Sequence, residues 1–138
     1  MLFYNIIFFK YNNIIMNKLL DLKTFTDSRG NLTVVEKIIP FEIKRIFYIY
    51  GVDDSVRGHH RHKKTIQAAI SLQGECRIIK NKGKLFPVEE YVLDDPSKCL
   101  IIAPEDYHWM DNFSENCILM VFASEYYDPD DYIYTPYQ

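Results

Sequence analysis

From about Thr24 onward, short apolar runs alternate with turn formers, and their spacing is that of strands. Segments 32–38 (LTVVEKI), 44–50 (KRIFYIY), 65–72 (TIQAAISL), 76–80 (CRIIK), 89–93 (EEYVL), 99–103 (CLIIA) and 117–124 (CILMVFAS) are rich in β-branched and aromatic residues. Turn chemistry closes them, as at Ser28-Arg29-Gly30-Asn31, Gln73-Gly74 and Asp94-Asp95-Pro96-Ser97. No window of about a dozen residues carries a helical stripe, apart from a weak stretch before Asp27. Strands recurring without helices between them predict a single-domain sandwich or small barrel. Several runs alternate charged and apolar residues, the pattern of a sheet with one wet and one dry face. In a small barrel the polar face can instead line a pocket. The tail, 126–138 (YYDPDDYIYTPYQ), reads as a polar, aromatic cover over the surface rather than a packed element.

A chain of 138 residues supports one core, and 48% hydrophobic with 15% aromatic residues excludes disorder and low-complexity fibre. Sixteen Lys+Arg against 19 Asp+Glu leave a formal charge of −3, which argues against a nucleic-acid binder. That balance still permits a pocket for one phosphorylated ligand. Cys76, Cys99 and Cys117 each lie in an apolar run and form no CxxC pair, the usage of buried thiols in a reducing cytoplasm. The N-terminal MLFYNIIFFKYNNIIM is apolar but interrupted by Asn5, Lys10, Asn12 and Asn13. It is too broken to span a membrane and lacks the parts of a secretion signal. Residues 1–15 are expected to be a leader before a second start at Met16, or an extra strand, with the domain over 16–138.

The chemistry concentrates on histidine. Three of the four lie in Arg57-Gly58-His59-His60-Arg61-His62, where a strand would turn His60 and His62 to one face and His59 and Arg61 to the other. Gln67 and Gly74 follow, and the fourth, His108, lies between Pro104 and Asn112. This HxH-x4-Q-x6-G and P-x3-H-x3-N arrangement resembles the two motifs of the cupin superfamily, which implies a double-sheet jelly-roll barrel. Metal-binding cupins have Glu where this chain has Gln67, a neutral amide that brings no charge to a divalent site, so no metal is expected. Two imidazoles on one wall suit proton transfer near neutral pH, nearby arginines suit a phosphate or diphosphate, and tyrosines suit a base or sugar ring.

Longer segments carry a closer resemblance: Asp27–Leu32 (DSRGNL), Ile39–Tyr48 (IPFEIKRIFY), Arg57–Lys64 (RGHHRHKK) and Ala123–Ile133 (ASEYYDPDDYI). In order and spacing, from about Asn17 to Ile133, they are similar to the sugar nucleotide 3,4-ketoisomerases, small cupin enzymes of dTDP-3-amino-sugar biosynthesis for surface polysaccharides such as O-antigen. The resemblance implies a cytoplasmic homodimer without cofactor that moves the ketone of dTDP-4-keto-6-deoxy-D-glucose from C4 to C3. It implies His62 as the C3 base and His60 as the proton carrier between O3 and O4, helped by Tyr48; the reverse assignment of the histidines stays open. Arg45 and Gln67 are candidates to stabilise the enediolate, and Arg57 to bind the diphosphate. Arg29 and His108 match members that give the 3-keto-galacto product, with His108 expected to protonate one face of the enediol. The rivals are a 3,5-epimerase, which a His–Asp pairing would favour, a metal-dependent cupin oxygenase and a non-catalytic nucleotide-sugar binder.

Overall fold

Alternation decides which face of each strand the barrel encloses. The structure, a computed structural model, describes residues 19–138, so the expected leader or extra strand at 1–15 lies outside the described residues. The strands are β1 (Leu19–Asp21), β2 (Lys23–Asp27), β3 (Gly30–Val34), β4 (Arg45–Tyr50), β5 (Arg57–His62), β6 (Gln67–Gln73), β7 (Cys76–Asn81), β8 (Glu89–Leu93), β9 (Lys98–Ile102), β10 (Tyr107–Asp111), β11 (Ile118–Ala123) and β12 (Tyr132–Ile133), with one 3-10 turn at Pro129–Asp131. Two antiparallel five-stranded sheets, β1-β9-β6-β11-β4 and β12-β5-β10-β7-β8, face each other as a jelly roll, and β2–β3 form a separate hairpin.

The barrel interior is filled by Ala69, Ile78, Leu93, Leu100, Ile102, Met110, Leu119 and Val121 with Cys76 and Cys117. A second layer covers the outer face of the first sheet, where Leu20, Ala68, Ile70, Cys99, Ile101 and Phe122 pack against Val35, Ile38, Ile39 and Phe41. Burial on both faces explains why Gln67–Ser71 are uniformly buried and read as a run rather than an alternation. On β4, at the sheet edge, the alternation survives: Arg45, Phe47 and Ile49 turn inward while Ile46, Tyr48 and Tyr50 are exposed.

Three expectations change. The run at 32–38 stops as a strand at Val34, and its continuation becomes the apolar cover of the first sheet. The weak helical stretch before Asp27 is two strands, β1 and β2. The tail is not merely a surface cover: it folds into the 3-10 turn and β12, which adds to the second sheet by pairing Tyr132 with His62 and Ile133 with Arg61.

Candidate functional site

Gly58 and His59 leave strand geometry, with φ of +95° and +59°. On β10 the successive residues His108 and Trp109 face His60 and Gly58, so His59 is the extra residue of a β-bulge. A Cβ at position 58 would sit 2.9 Å from the His108 carbonyl oxygen and 3.1 Å from the Trp109 Cα, which leaves room for glycine alone. His59 stacks outside on Trp109, with ring centroids 5.6 Å apart. Beyond the bulge His60 and His62 turn together into the barrel.

There three imidazoles meet. The His60 ring centroid lies 5.0 Å from His62 and 4.8 Å from His108, while His62 and His108 are 6.2 Å apart. Tyr132 closes the side, 4.8 Å from His60 and 4.6 Å from His62. His62 donates from Nδ1 to Asp131 Oδ2 at 2.9 Å. That carboxylate is held by the Thr65 hydroxyl on Oδ2 and by the Lys64 N–H on Oδ1 at 2.9 Å. Because a carboxylate can only accept, Nδ1 carries the hydrogen and Nε2 is the basic nitrogen of His62.

Burial sets the resting charges. It pulls His60 down to about 4, with the neighbouring His62 adding to the effect. Burial likewise lowers His62, against the opposing pull of Asp131. His108 falls to about 3, through burial first and His60 next. For Asp131 burial favours the neutral acid, but the hydrogen bonds from Thr65, Lys64 and His62 outweigh it and hold the carboxyl below its ordinary range. All three imidazoles are therefore neutral at neutral pH, and Asp131 is ionised.

On the opposite sheet Arg45, Ala123 and Gln67 are aligned in register across β4, β11 and β6. Gln67 is buried on the same face as the interior Ala69, and the Arg45 guanidinium lies over the rings of Phe47 and Tyr127. His62 Nε2, His108 Nε2 and Gln67 Oε1 are buried acceptors with no donor among the described residues. Such a set suits a ligand that brings several hydroxyl groups. Among the described residues, no group of three or more His, Cys, Asp or Glu side chains is arranged to hold a metal ion.

His60, His62, His108, Gln67 and Arg45 thus converge, whereas three other expected residues do not. Tyr48 cannot share the interior with Arg45, three positions earlier in the same strand; it is 64% exposed on the outer face and stacks on Tyr50. Arg57 opens β5 as an exposed residue, at the other end of the strand from His62. Arg29 lies at the hairpin tip, 88% exposed, and pairs with Asp27 at 2.6 Å. Nor does His108 have the form of a proton donor. Its Nδ1 donates to the Asp106 carbonyl at 2.9 Å, which leaves Nε2 without a hydrogen.

A family model described as "FdtA: WxcM-like, C-terminal" matches residues 16–138. The chain belongs to the FdtA family. Among FdtA relatives, the TDP-4-oxo-6-deoxy-alpha-D-glucose-3,4-oxoisomerase of Aneurinibacillus thermoaerophilus is 43% identical over 120 residues, 85% of each chain. A mutant of the 3,4-ketoisomerase QdtA from Thermoanaerobacterium thermosaccharolyticum, solved in complex with TDP-4-keto-6-deoxyglucose, is 42% identical with a TM-score of 0.80, over 85% of this chain and 86% of that one. WlaRA, a TDP-fucose-3,4-ketoisomerase from Campylobacter jejuni, is 40% identical with a TM-score of 0.77, over 85% and 87%. This FdtA-family chain is an isomerase with a cupin barrel.

The expectation that a His–Asp pairing would mark an epimerase does not hold, since this FdtA-family chain, similar to 3,4-ketoisomerases, itself carries the pair. Asp131 and Tyr132 escaped the sequence reading because the tail looked like surface. The available signal was the apolar Ile133 beside them, which lets a short strand dock and carry an acidic residue inside.

Proposed function

We propose that this isomerase moves the ketone of TDP-4-keto-6-deoxy-D-glucose from C4 to C3 through an enediol. The observation that carries the reading is the buried His62–Asp131 pair, with a bare Nε2 on His62 and His60 beside it. The carbonyl acidifies the C3 hydrogen, and His62 Nε2 removes it. The C3–H electron pair forms the C3=C4 bond while the C4 carbonyl electrons move to O4. The imidazolium that forms is stabilised by ionised Asp131, which keeps its own charge state throughout. His60, neutral at rest, relays the O3 hydrogen to O4. As O3 becomes the ketone, C4 takes the proton held by the His62 imidazolium, which returns to its neutral form, and the isomer is complete. Each positioned proton transfer is typically worth about 10²–10⁴-fold.

Gln67 and Arg45 face the side on which the oxyanion develops, and the guanidinium is the natural partner for its charge. Arg57 is assigned to the diphosphate, and Arg29 with His108 to the choice of the 3-keto-6-deoxy-D-galactose product. With Nε2 bare, His108 acts as an acceptor that orients a sugar hydroxyl and so decides which face of C4 receives the proton. No metal or organic cofactor enters the scheme. The three cysteines, all buried and free, suit a cytoplasmic enzyme.

We further assign a homodimer. All of β2 is exposed, Phe25 and Leu32 pair across the hairpin in the open, and Ile46, Tyr48 and Tyr50 leave an apolar strip on the outer edge of the first sheet. An isolated two-stranded hairpin is marginal in water, and a second subunit is the natural cover for both.

The test is a proton NMR time course with TDP-4-keto-6-deoxyglucose in D₂O containing EDTA. Loss of the C3 proton signal with growth of a 3-keto product supports the scheme, and the C4 couplings report galacto against gluco. Exchange at C5 would replace it by epimerisation, and dependence on added iron or zinc by metal chemistry.

A further inference from the structure

Two buried charges stand next to the site but outside the reaction scheme. Lys80 on β7 and Asp106, in the turn before β10, have side chains only 2% and 1% exposed. The Lys80 ammonium donates to Asp106 Oδ2 and to the Ile101 carbonyl, each at 3.0 Å. Asp106 Oδ2 also accepts the Ala103 N–H at 2.9 Å, and the Asp106 N–H returns to the Ala103 carbonyl at 3.1 Å. One cation therefore clamps β7, the end of β9 and the 103–106 turn. A buried ion pair is costly to keep, and an apolar pair of similar size often serves stability as well. Its retention here coincides with His108, whose Nδ1–H rests on the carbonyl of this same Asp106.

We propose that Lys80 and Asp106 are positioning residues for His108. By pinning the turn they hold Nδ1–H on the Asp106 carbonyl and keep Nε2 a bare acceptor for a substrate hydroxyl. The inference deepens the ketoisomerase reading and rests on it for the identity of the hydroxyl ligand. The groups around His108 act in the same direction. Burial together with His60, His62 and the Lys80 cation opposes protonation of its ring. Lys82 Nζ stands 3.6 Å from Asp106 Oδ1, and the Tyr91 ring of β8 covers the Lys80 ammonium at 5.5 Å. Arg45 faces the neighbouring His62 from β4. Were the turn to loosen, the imidazole could flip or exchange tautomers and offer a donor where the site needs an acceptor.

The experiment compares the full chain with Lys80→Met, Asp106→Asn and the combined variant. Imidazole ¹⁵N NMR at neutral pH reads the His108 tautomer, and steady-state kinetics read turnover of TDP-4-keto-6-deoxyglucose. The wild type is expected to show one tautomer, protonated at Nδ1. The combined variant removes both charges while leaving similar shapes; it should melt cooperatively yet mix tautomers and lose about 10- to 10²-fold in kcat, with KM changed far less. A folded combined variant with a single Nδ1–H tautomer and wild-type kcat overturns the proposal. So does a wild-type His108 protonated at Nε2, whatever the variants do. The tautomer measurement needs no turnover, so failure of the ketoisomerase reading would leave it standing and would show separately as an unchanged substrate.

Discussion

His62 differs from the other two imidazoles of the cluster in having a carboxylate behind it, and the sharpest expectations follow from that. His62→Asn should lower kcat by about 10²–10⁴-fold with little change in nucleotide-sugar affinity, measured by turnover and titration calorimetry. A variant that kept most of its rate would transfer the base role to His60. Asp131→Asn can donate to Nδ1 and impose the wrong tautomer, so kcat should fall on the order of 10²-fold while the barrel still melts cooperatively. The pH dependence follows from the depressed histidines. His60 holds off protons to about 4 and His108 to about 3, whereas unfolded histidines bind them near 6.5. Unfolding between those limits takes up protons, so stability falls as pH drops through that window. Turnover should stay level through neutrality and persist below 6.5 until the depressed histidines of the folded site take up protons, while a lower melting temperature at pH 5 than at pH 7.5 checks the linkage. The HxH pair was readable because a strand has a period of two. The same rule could have excluded Tyr48, since residues three apart in one strand cannot both face a pocket that takes Arg45.

Strands with apolar cores (β4, β6, β7, β8, β9 and β11) are legible as runs of Val, Ile, Leu and aromatics. The two that carry the histidines are not. β5 reads RGHHRH and β10 reads YHWMD, sequences that no hydrophobic pattern marks as strands. They are strands because their neighbours supply the ladder and because their polar side chains find partners in the pocket. The bulge between them ties local backbone to chemistry. Gly58→Ala would place a methyl 2.9 Å from a carbonyl oxygen at a φ of +95°, so something must shift. We expect a loss of about 2 kcal/mol or more, seen in denaturant melts, together with reduced kcat as His60 is re-aimed. Equal stability and rate would show that the bulge relaxes without moving the imidazole.

Residues 19–138 are legible as one β-barrel, and the proposed homodimer was legible only through the family resemblance, because the exposed hairpin and edge each look from sequence like any half-buried strand. Ile46→Glu combined with Tyr50→Glu puts charge on the outer strip without touching the interior, and should convert the proposed dimer to a monomer in sizing experiments at micromolar concentration. An unchanged dimer would move the interface elsewhere. The tail has a different consequence at this scale. His62 is completed by Asp131, 69 residues further along, after both large sheets are otherwise present. Cleavage just ahead of Asp131 would therefore leave every strand of both large sheets except β12 while removing the partner of His62, so specific activity would serve as an assay of proteolytic wear. The same dependence orders events on the ribosome: β1 to β11 are made first, and competence waits for the segment that carries Asp131.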